Sequence, residues 1–164
     1  MKALVWFNGP SSLHFLDLPR QPLEIGCNHF YDLRAVDHIC CLDERMKHTI
    51  KQRPSVKYWC KFGYASPGWS EVSYVMAQQP ETSGMLAVRL AINLGCHKIR
   101  IVGCDWGLDN ASIFEGQYKN SRPGNKYNND AKRILREWSR HRDIKFVHPG
   151  RPDVPLAVLD KVDL

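Results

Sequence analysis

No stretch of the chain approaches the roughly 20 consecutive apolar residues that a membrane-spanning helix requires. The opening run Met1 to Phe7 turns polar at Asn8 before the apolar centre of an export signal could form. A cytoplasmic protein without a membrane segment is the expectation. Six cysteines are present, yet none form a Cys-x-x-Cys pair. Cys27, Cys40, Cys41, Cys60, Cys96 and Cys104 mostly lie inside apolar, strand-like stretches, and adjacent Cys40 and Cys41 in a strand would face opposite sides. Buried free thiols are therefore predicted rather than a metal centre or a redox pair. No Gly-x-Gly-x-x-Gly fingerprint and no Walker A loop follows any strand-like run, which argues against a nicotinamide dehydrogenase and a P-loop enzyme. Internal repeats and low-complexity tails are lacking too, so a solenoid is not expected.

What remains is the composition of an ordinary globular domain. The 164 residues are 43% hydrophobic and 24% charged, enough for one core and too few for two comfortable ones. The formal net charge of +6 favours an anionic ligand without choosing among a phosphorylated molecule, a polyanion and mere solubility.

The repeating unit along the chain is an apolar strand, a polar end and a helix start. Lys2 to Phe7 runs into Asn8-Gly9-Pro10-Ser11-Ser12, where Pro10 suits a first helical position. Leu23 to Cys27 stops at Asn28, and His38 to Leu42 stops at Asp43 before the helix-compatible stretch Glu44 to Gln52. Val56 to Cys60 and Val72 to Met76 read as strands joined by a loop or loose hairpin containing Gly63, Pro67 and Gly68. Thr82 to Leu94 is the most regular helix, with Leu86, Leu90 and Leu94 in an i, i+4 stripe and Gly95 as its stop. Lys98 to Gly103 is a buried strand that delivers Asp105 to its carboxyl end. Residues 106–125, rich in Gly, Asn and Ser, read as a lid. Asn128 to His141 carries Ile134, Leu135 and Trp138 at helical spacing, and Ile144 to Val147 closes the sheet. Alternation of this kind predicts one three-layer, Rossmann-like α/β domain over 1–164, with a mainly parallel sheet and helices on both faces.

In such a fold ligands bind outside the carboxyl ends of the strands. The polar clusters fall there: Asn8, Gly9, Pro10 and Ser11; Asn28 and His29; Asp43; Thr82, Ser83 and Gly84; and Asp105. Glycine beside a helix amino terminus suits an anion, because free N–H groups and the helix dipole both attract it. Asn28 offers a donor and an acceptor to a base or ribose. Each has a plainer reading: a turn for Asn8 and Asn28, helix capping for Asp43 and Thr82, packing for His29. The basic residues Lys132, Arg133, Arg136, Arg140 and Arg142 flank an apolar stripe and read as a solvated helix face; nucleic-acid contact is not favoured.

Phe7-Asn8-Gly9-Pro10-Ser11, Cys27-Asn28-His29-Phe30-Tyr31 and Thr82-Ser83-Gly84 through Leu94-Gly95 to Gly103-Cys104-Asp105 occur in the order and separation of three landmarks of one family. In these motifs the chain resembles the sialyltransferases of glycosyltransferase family 42. It also resembles the related sialyltransferase-like group of hydroxymethylpterin diphosphokinases and uncharacterised bacterial and phage proteins. The resemblance spans most of the chain. It implies that Asn8, Gly9, Asn28, Thr82, Ser83 and Gly84 hold a cytidine nucleotide, with Asp43 standing where an asparagine is usual. Tyr118, Lys119, Arg122, Lys126 and Tyr127 would contact a phosphate or acceptor.

Two departures from the family bear on function. Pro80, beside Glu81, occupies the place of an arginine that serves the donor phosphate. Residues 123–129 offer no imidazole where the family keeps its general base. The expectation is a nucleotide- or nucleotide-sugar-dependent transferase that is not a true sialyltransferase, with a CMP-type ligand and with Asp105, His29 and Lys126 as candidates for the base. One alternative is a non-catalytic protein that sequesters the nucleotide. The other is diphosphate transfer to a small alcohol, which alone would need a divalent metal, on ligands such as Asp43 and Asp105.

Overall fold

A computed structural model of the chain describes residues 1–80, 82–104 and 133–148, and the backbone of 151–155. Its strands are β1 (Lys2–Trp6), β2 (Glu24–Cys27), β3 (His38–Cys41), β4 (Lys57–Lys61), β5 (Trp69–Val72), β6 (Lys98–Val102), β7 (Asp143–His148) and β8 (Arg151–Pro155). The helices are α1 (Glu44–Lys47), α2 (Ser83–Asn93) and α3, described over 133–139. They form the expected α/β fold around one sheet, ordered β5-β4-β3-β2-β1-β6-β7-β8. Seven strands are parallel, and β8 runs antiparallel against β7. β7 is thus not the closing strand.

Chain direction reverses its march across the sheet between β1 and β6, the switch point beyond whose carboxyl ends ligands bind in folds of this kind. Side chains alternate along β1: Ala3 and Val5 face one core, Leu4 and Trp6 the other. The first core is covered by long helices, through Leu86, Leu90, Ile134, Leu135 and Trp138. The second is covered by short 3-10 turns and connecting segments, through Phe15, Phe30, Val36 and Ile50, with only Met46 of α1. Among the described residues the expectation of helices on both faces therefore holds in full on one side only. Cys40 and Cys41 do fall in opposite cores.

α2 has a complete set of end signals. Thr82 accepts a hydrogen bond from Met85 N at 3.1 Å as its N-cap. Gly95, at φ +81°, closes the other end, with Gly95 N bonded to Ile92 O and Cys96 N to Ala91 O.

Three local expectations are corrected. The helix over Glu44 to Gln52 stops at Lys47, because Thr49 turns its hydroxyl back to Met46 O. Beyond it, Lys51 N and Arg53 N donate to the hydroxyls of Tyr31 and Tyr58 rather than to helix carbonyls. The strand expected over Val72 to Met76 lies instead at Trp69–Val72, and Met76–Gln78 is a 3-10 turn. β4 and β5 are not a hairpin: they pair in parallel across a seven-residue connection. That connection is pinned by Lys47 Nζ to Tyr64 O, 2.7 Å, and by Glu71 Oε1, which accepts from Gly63 N and Ala65 N.

Candidate functional site

The ends of β1, β2, β3 and β6 and the start of α2 converge at the carboxyl rim of the sheet. Phe7 N bonds Val102 O at 2.8 Å and Gly9 N bonds Gly103 O at 2.9 Å, tying the β1 end to the β6 end. Cys27 Sγ donates to Asn8 Oδ1 at 3.3 Å, tying β1 to β2. Asn28 N bonds Cys40 O, tying β2 to β3, and Leu42 N donates to Ser83 Oγ at 2.9 Å, tying β3 to α2. Asn8, Asn28 and Ser83, far apart in sequence, thus share one rim.

Within this rim Asn28 is 2% exposed and adopts φ +53°, a left-handed conformation that asparagine tolerates better than most residues. Asn8 is 8% exposed. Its oxygen is engaged by Cys27, but its Nδ2 has no partner among the described residues. Ser12, 0% exposed, likewise has an unpartnered Oγ there. The sequence pointed to Ser11 and passed over Ser12, since nothing in a Ser-Ser dipeptide says which hydroxyl is enclosed. The N–H groups of Ser83 and Gly84, at the amino end of α2, make no hydrogen bond among the described residues. Such groups leave a helix start receptive to an anion.

Other assignments change. Gly84 does not leave room for a ligand: a Cβ there would lie 2.6 Å from ring atoms of Phe7, so the glycine is needed for that aromatic contact. Gly9 has φ −70°, open to any residue; the left-handed position at this crossing is Gly103, φ +73°. Pro10 opens a 3-10 turn, Pro10–Phe15, as its ring geometry favours, and that turn has no side-chain cap. Asp43 is the N-cap of α1, its Oδ1 accepting from Arg45 N at 2.8 Å and Met46 N at 3.3 Å. His29 packs beside Tyr31 and meets Thr49 Oγ1 through Nε2 at 2.9 Å. Asp105, Tyr118, Lys119, Arg122, Lys126, Tyr127 and the lid expected over 106–125 lie outside the described residues. Among those described, no group of three or more His, Cys, Asp or Glu is placed to hold a metal.

All six cysteines are free and Cys104 alone is not buried. Burial pushes the Cys27 and Cys40 thiols far up and that of Cys41 to about 12, which favours the protonated thiol at neutral pH. No described helix is long and apolar enough to cross a membrane.

The fold and its rim define a Rossmann-like α/β domain with its topological switch point between β1 and β6. No family model and no curated protein matches the chain. Among solved structures it is similar to the sialyltransferase CstII in complex with a trisaccharide acceptor and CMP, with 18% identity over 91% of this chain and 82% of that one and a TM-score of 0.61. It is also similar to the sialyltransferase CstII from Campylobacter jejuni in complex with the substrate analogue CMP-3FNeuAc, with 15% identity over 99% and 86% of the two chains and a TM-score of 0.65. The likeness is one of fold.

Proposed function

We propose that the chain binds a CMP-type nucleotide at this rim and acts as a nucleotide- or nucleotide-sugar-dependent transferase of the sialyltransferase-like group, on a reaction other than sialyl transfer. The observation that carries the reading is the Asn8 amide, buried at the end of the central strand with Nδ2 unpartnered among the described residues. A buried donor left unpaired costs about 1–3 kcal/mol, and an oxygen of a bound nucleotide removes that cost. Asn28 is the residue proposed to read the base or ribose, and the α2 amino end, with Ser83, to receive the phosphate. The fold supports this reading because structures of CstII hold CMP or a CMP-sugar analogue.

In the transfer, the bond between the donor carbon and the CMP phosphate oxygen breaks and its electron pair leaves with the phosphate. The acceptor hydroxyl bonds to that carbon and surrenders its proton to a base. No histidine lies between His97 and His141, which removes the base expected by resemblance and turns the proposal away from sialyl transfer. The same lack favours the second reading, a protein that holds the nucleotide without consuming it. Diphosphate transfer is the third reading, and of the ligands it would draw on, Asp43 also caps α1 through Oδ1.

Thermal melting with CMP, a CMP sugar, UMP, AMP and short DNA, with and without magnesium, tests the transfer and sequestration readings. Ligand at 100 times its dissociation constant adds about 2.7 kcal/mol, so CMP should raise the melting temperature by roughly 5–10 °C at this chain length. Consumption of a CMP sugar supports transfer, and binding without consumption supports sequestration. If no mononucleotide shifts the transition while DNA does, the reading fails.

A further inference from the structure

We infer that Gln78, which stands outside the rim itself, is a positioning residue that sets the Thr82-Ser83-Gly84 turn for a phosphate-bearing ligand; this rests on the nucleotide reading above. After β5 the chain returns along α2, from the helix's carboxyl end towards its amino end, and side chains hold it at successive points. Asn93 Nδ2 and Arg89 Nε both donate to Ser73 O, at 2.8 and 3.1 Å. Arg89 Nη1 then donates to Gln78 Oε1 at 3.4 Å. The same oxygen accepts from Trp138 Nε1 at 3.0 Å, and Gln78 Nε2 donates to Glu137 of α3. The Arg89 guanidinium lies 5.9 Å from the centre of the Trp138 ring.

One glutamine amide therefore joins three elements: the return segment, α2 and α3. Its position gives this clamp a consequence for the site. From Gln78 to the cap residue Thr82 only four Cα–Cα steps remain, at most about 14 Å of fully extended chain. Where Gln78 is held thus limits where Thr82 can begin the helix. The cap bond from Thr82 to Met85 N and the bond from Leu42 N to Ser83 Oγ both depend on that entry point. A looser entry would misplace the N–H groups of Ser83 and Gly84, which are the groups proposed to meet phosphate, and leave Asn8 and Asn28 untouched.

The test is titration calorimetry of the full chain with CMP and with cytidine, which lacks the phosphate. Gln78→Ala, and Gln78→Met as a variant of similar length, should weaken CMP binding about five- to tenfold and leave cytidine binding unchanged. A general loss of structure would weaken both. The double variant Gln78→Glu with Glu137→Gln keeps an acceptor for Trp138 and Arg89 and exchanges donor for acceptor in the third bond, so it should restore CMP affinity. Equal weakening of both ligands, unchanged CMP binding, or no rescue overturns the inference. If the unsubstituted protein binds neither ligand, the nucleotide reading fails, and hydrogen exchange then tests the clamp alone. The amides of Met85 and Leu42, which bond Thr82 Oγ1 and Ser83 Oγ, should exchange faster in Gln78→Ala and recover in the double variant; unchanged exchange overturns the clamp.

Discussion

Asn28 serves two ends at once, and the two can be separated by substitution. Its φ of +53° is a backbone requirement, while its amide is the group proposed to meet the nucleotide. Asn28→Gly keeps the left-handed conformation at little cost and deletes the amide, whereas Asn28→Ala adds about 1 kcal/mol of backbone strain. Both should weaken CMP binding about tenfold or more, and urea denaturation should show the alanine variant as the less stable of the two. Unchanged affinity in the glycine variant removes Asn28 from the site. On the other face, Glu24 is 0% exposed and receives four donors: Trp6 Nε1 at 3.1 Å, Gln21 N at 2.8 Å, and Arg34 Nε and Nη2 at 2.7 Å each. Arg34 also donates to Leu16 O and stacks 5.0 Å from the Trp6 ring centre. Arg34→Met would strand a buried carboxylate, and a loss of about 3–5 kcal/mol is expected in urea denaturation. A loss under 1 kcal/mol would mean that solvent reaches Glu24.

At the scale of elements, what was legible depended on whether the signal was local. β1, β2, β3 and β6 are apolar runs ending in a polar residue or glycine, and α2 has its stripe, cap and stop within 15 consecutive residues, so each was readable from sequence. α1 was overestimated because, past the turn closed by Thr49, the hydroxyls that hold the chain belong to Tyr31 and Tyr58, outside the segment being read. The direction of β5 was missed because parallel pairing over so short a connection depends on Lys47 and Glu71, on other elements or beyond the loop. The rim shows the same division. Asn8, Asn28 and Ser83 stand at element ends and could be picked out, whereas the enclosure of Ser12 and the clamp at Gln78 exist only after folding. Gly84 was singled out for the approach of a ligand, and the structure shows another need for it. Its missing side chain accommodates Phe7, so Gly84→Ala should destabilise the domain by about 1–3 kcal/mol through overpacking. Phe7→Leu, by withdrawing the ring, should recover part of that loss in the double variant. Additive costs would show that the two residues do not compete for space.

For the molecule as a whole, two buried groups on the second-core side and the amino rim determine how stability responds to acid. His38 sits at the amino end of β3, where Trp59 Nε1 donates to its Nδ1 at 2.8 Å. An indole N–H can only donate, so Nδ1 must be unprotonated and the ring neutral. Burial, and then the charge of Lys57, lowers the pKa of His38 below 6.5, against a weaker opposing effect of Asp37. The unfolded chain therefore takes up a proton near pH 6.5 that the folded chain refuses, and stability falls as pH drops from there to the folded pKa. Burial acts on Glu24 in the opposite sense, raising its pKa, but hydrogen bonds from Arg34, Gln21 and Trp6 together with the Arg34 charge outweigh it and bring the carboxyl below 4.5. Its contribution is complete above that value and lost as pH falls through the lower folded pKa. Urea midpoints measured from pH 8 to pH 3 should thus descend in two stages, one beginning near 6.5 and a second below 4.5. His38→Gln supplies an acceptor to Trp59 that does not titrate, so it should flatten the first stage and leave the second. A first stage that survives the substitution would assign it to another histidine and would remove the Trp59–His38 contact from the acid response.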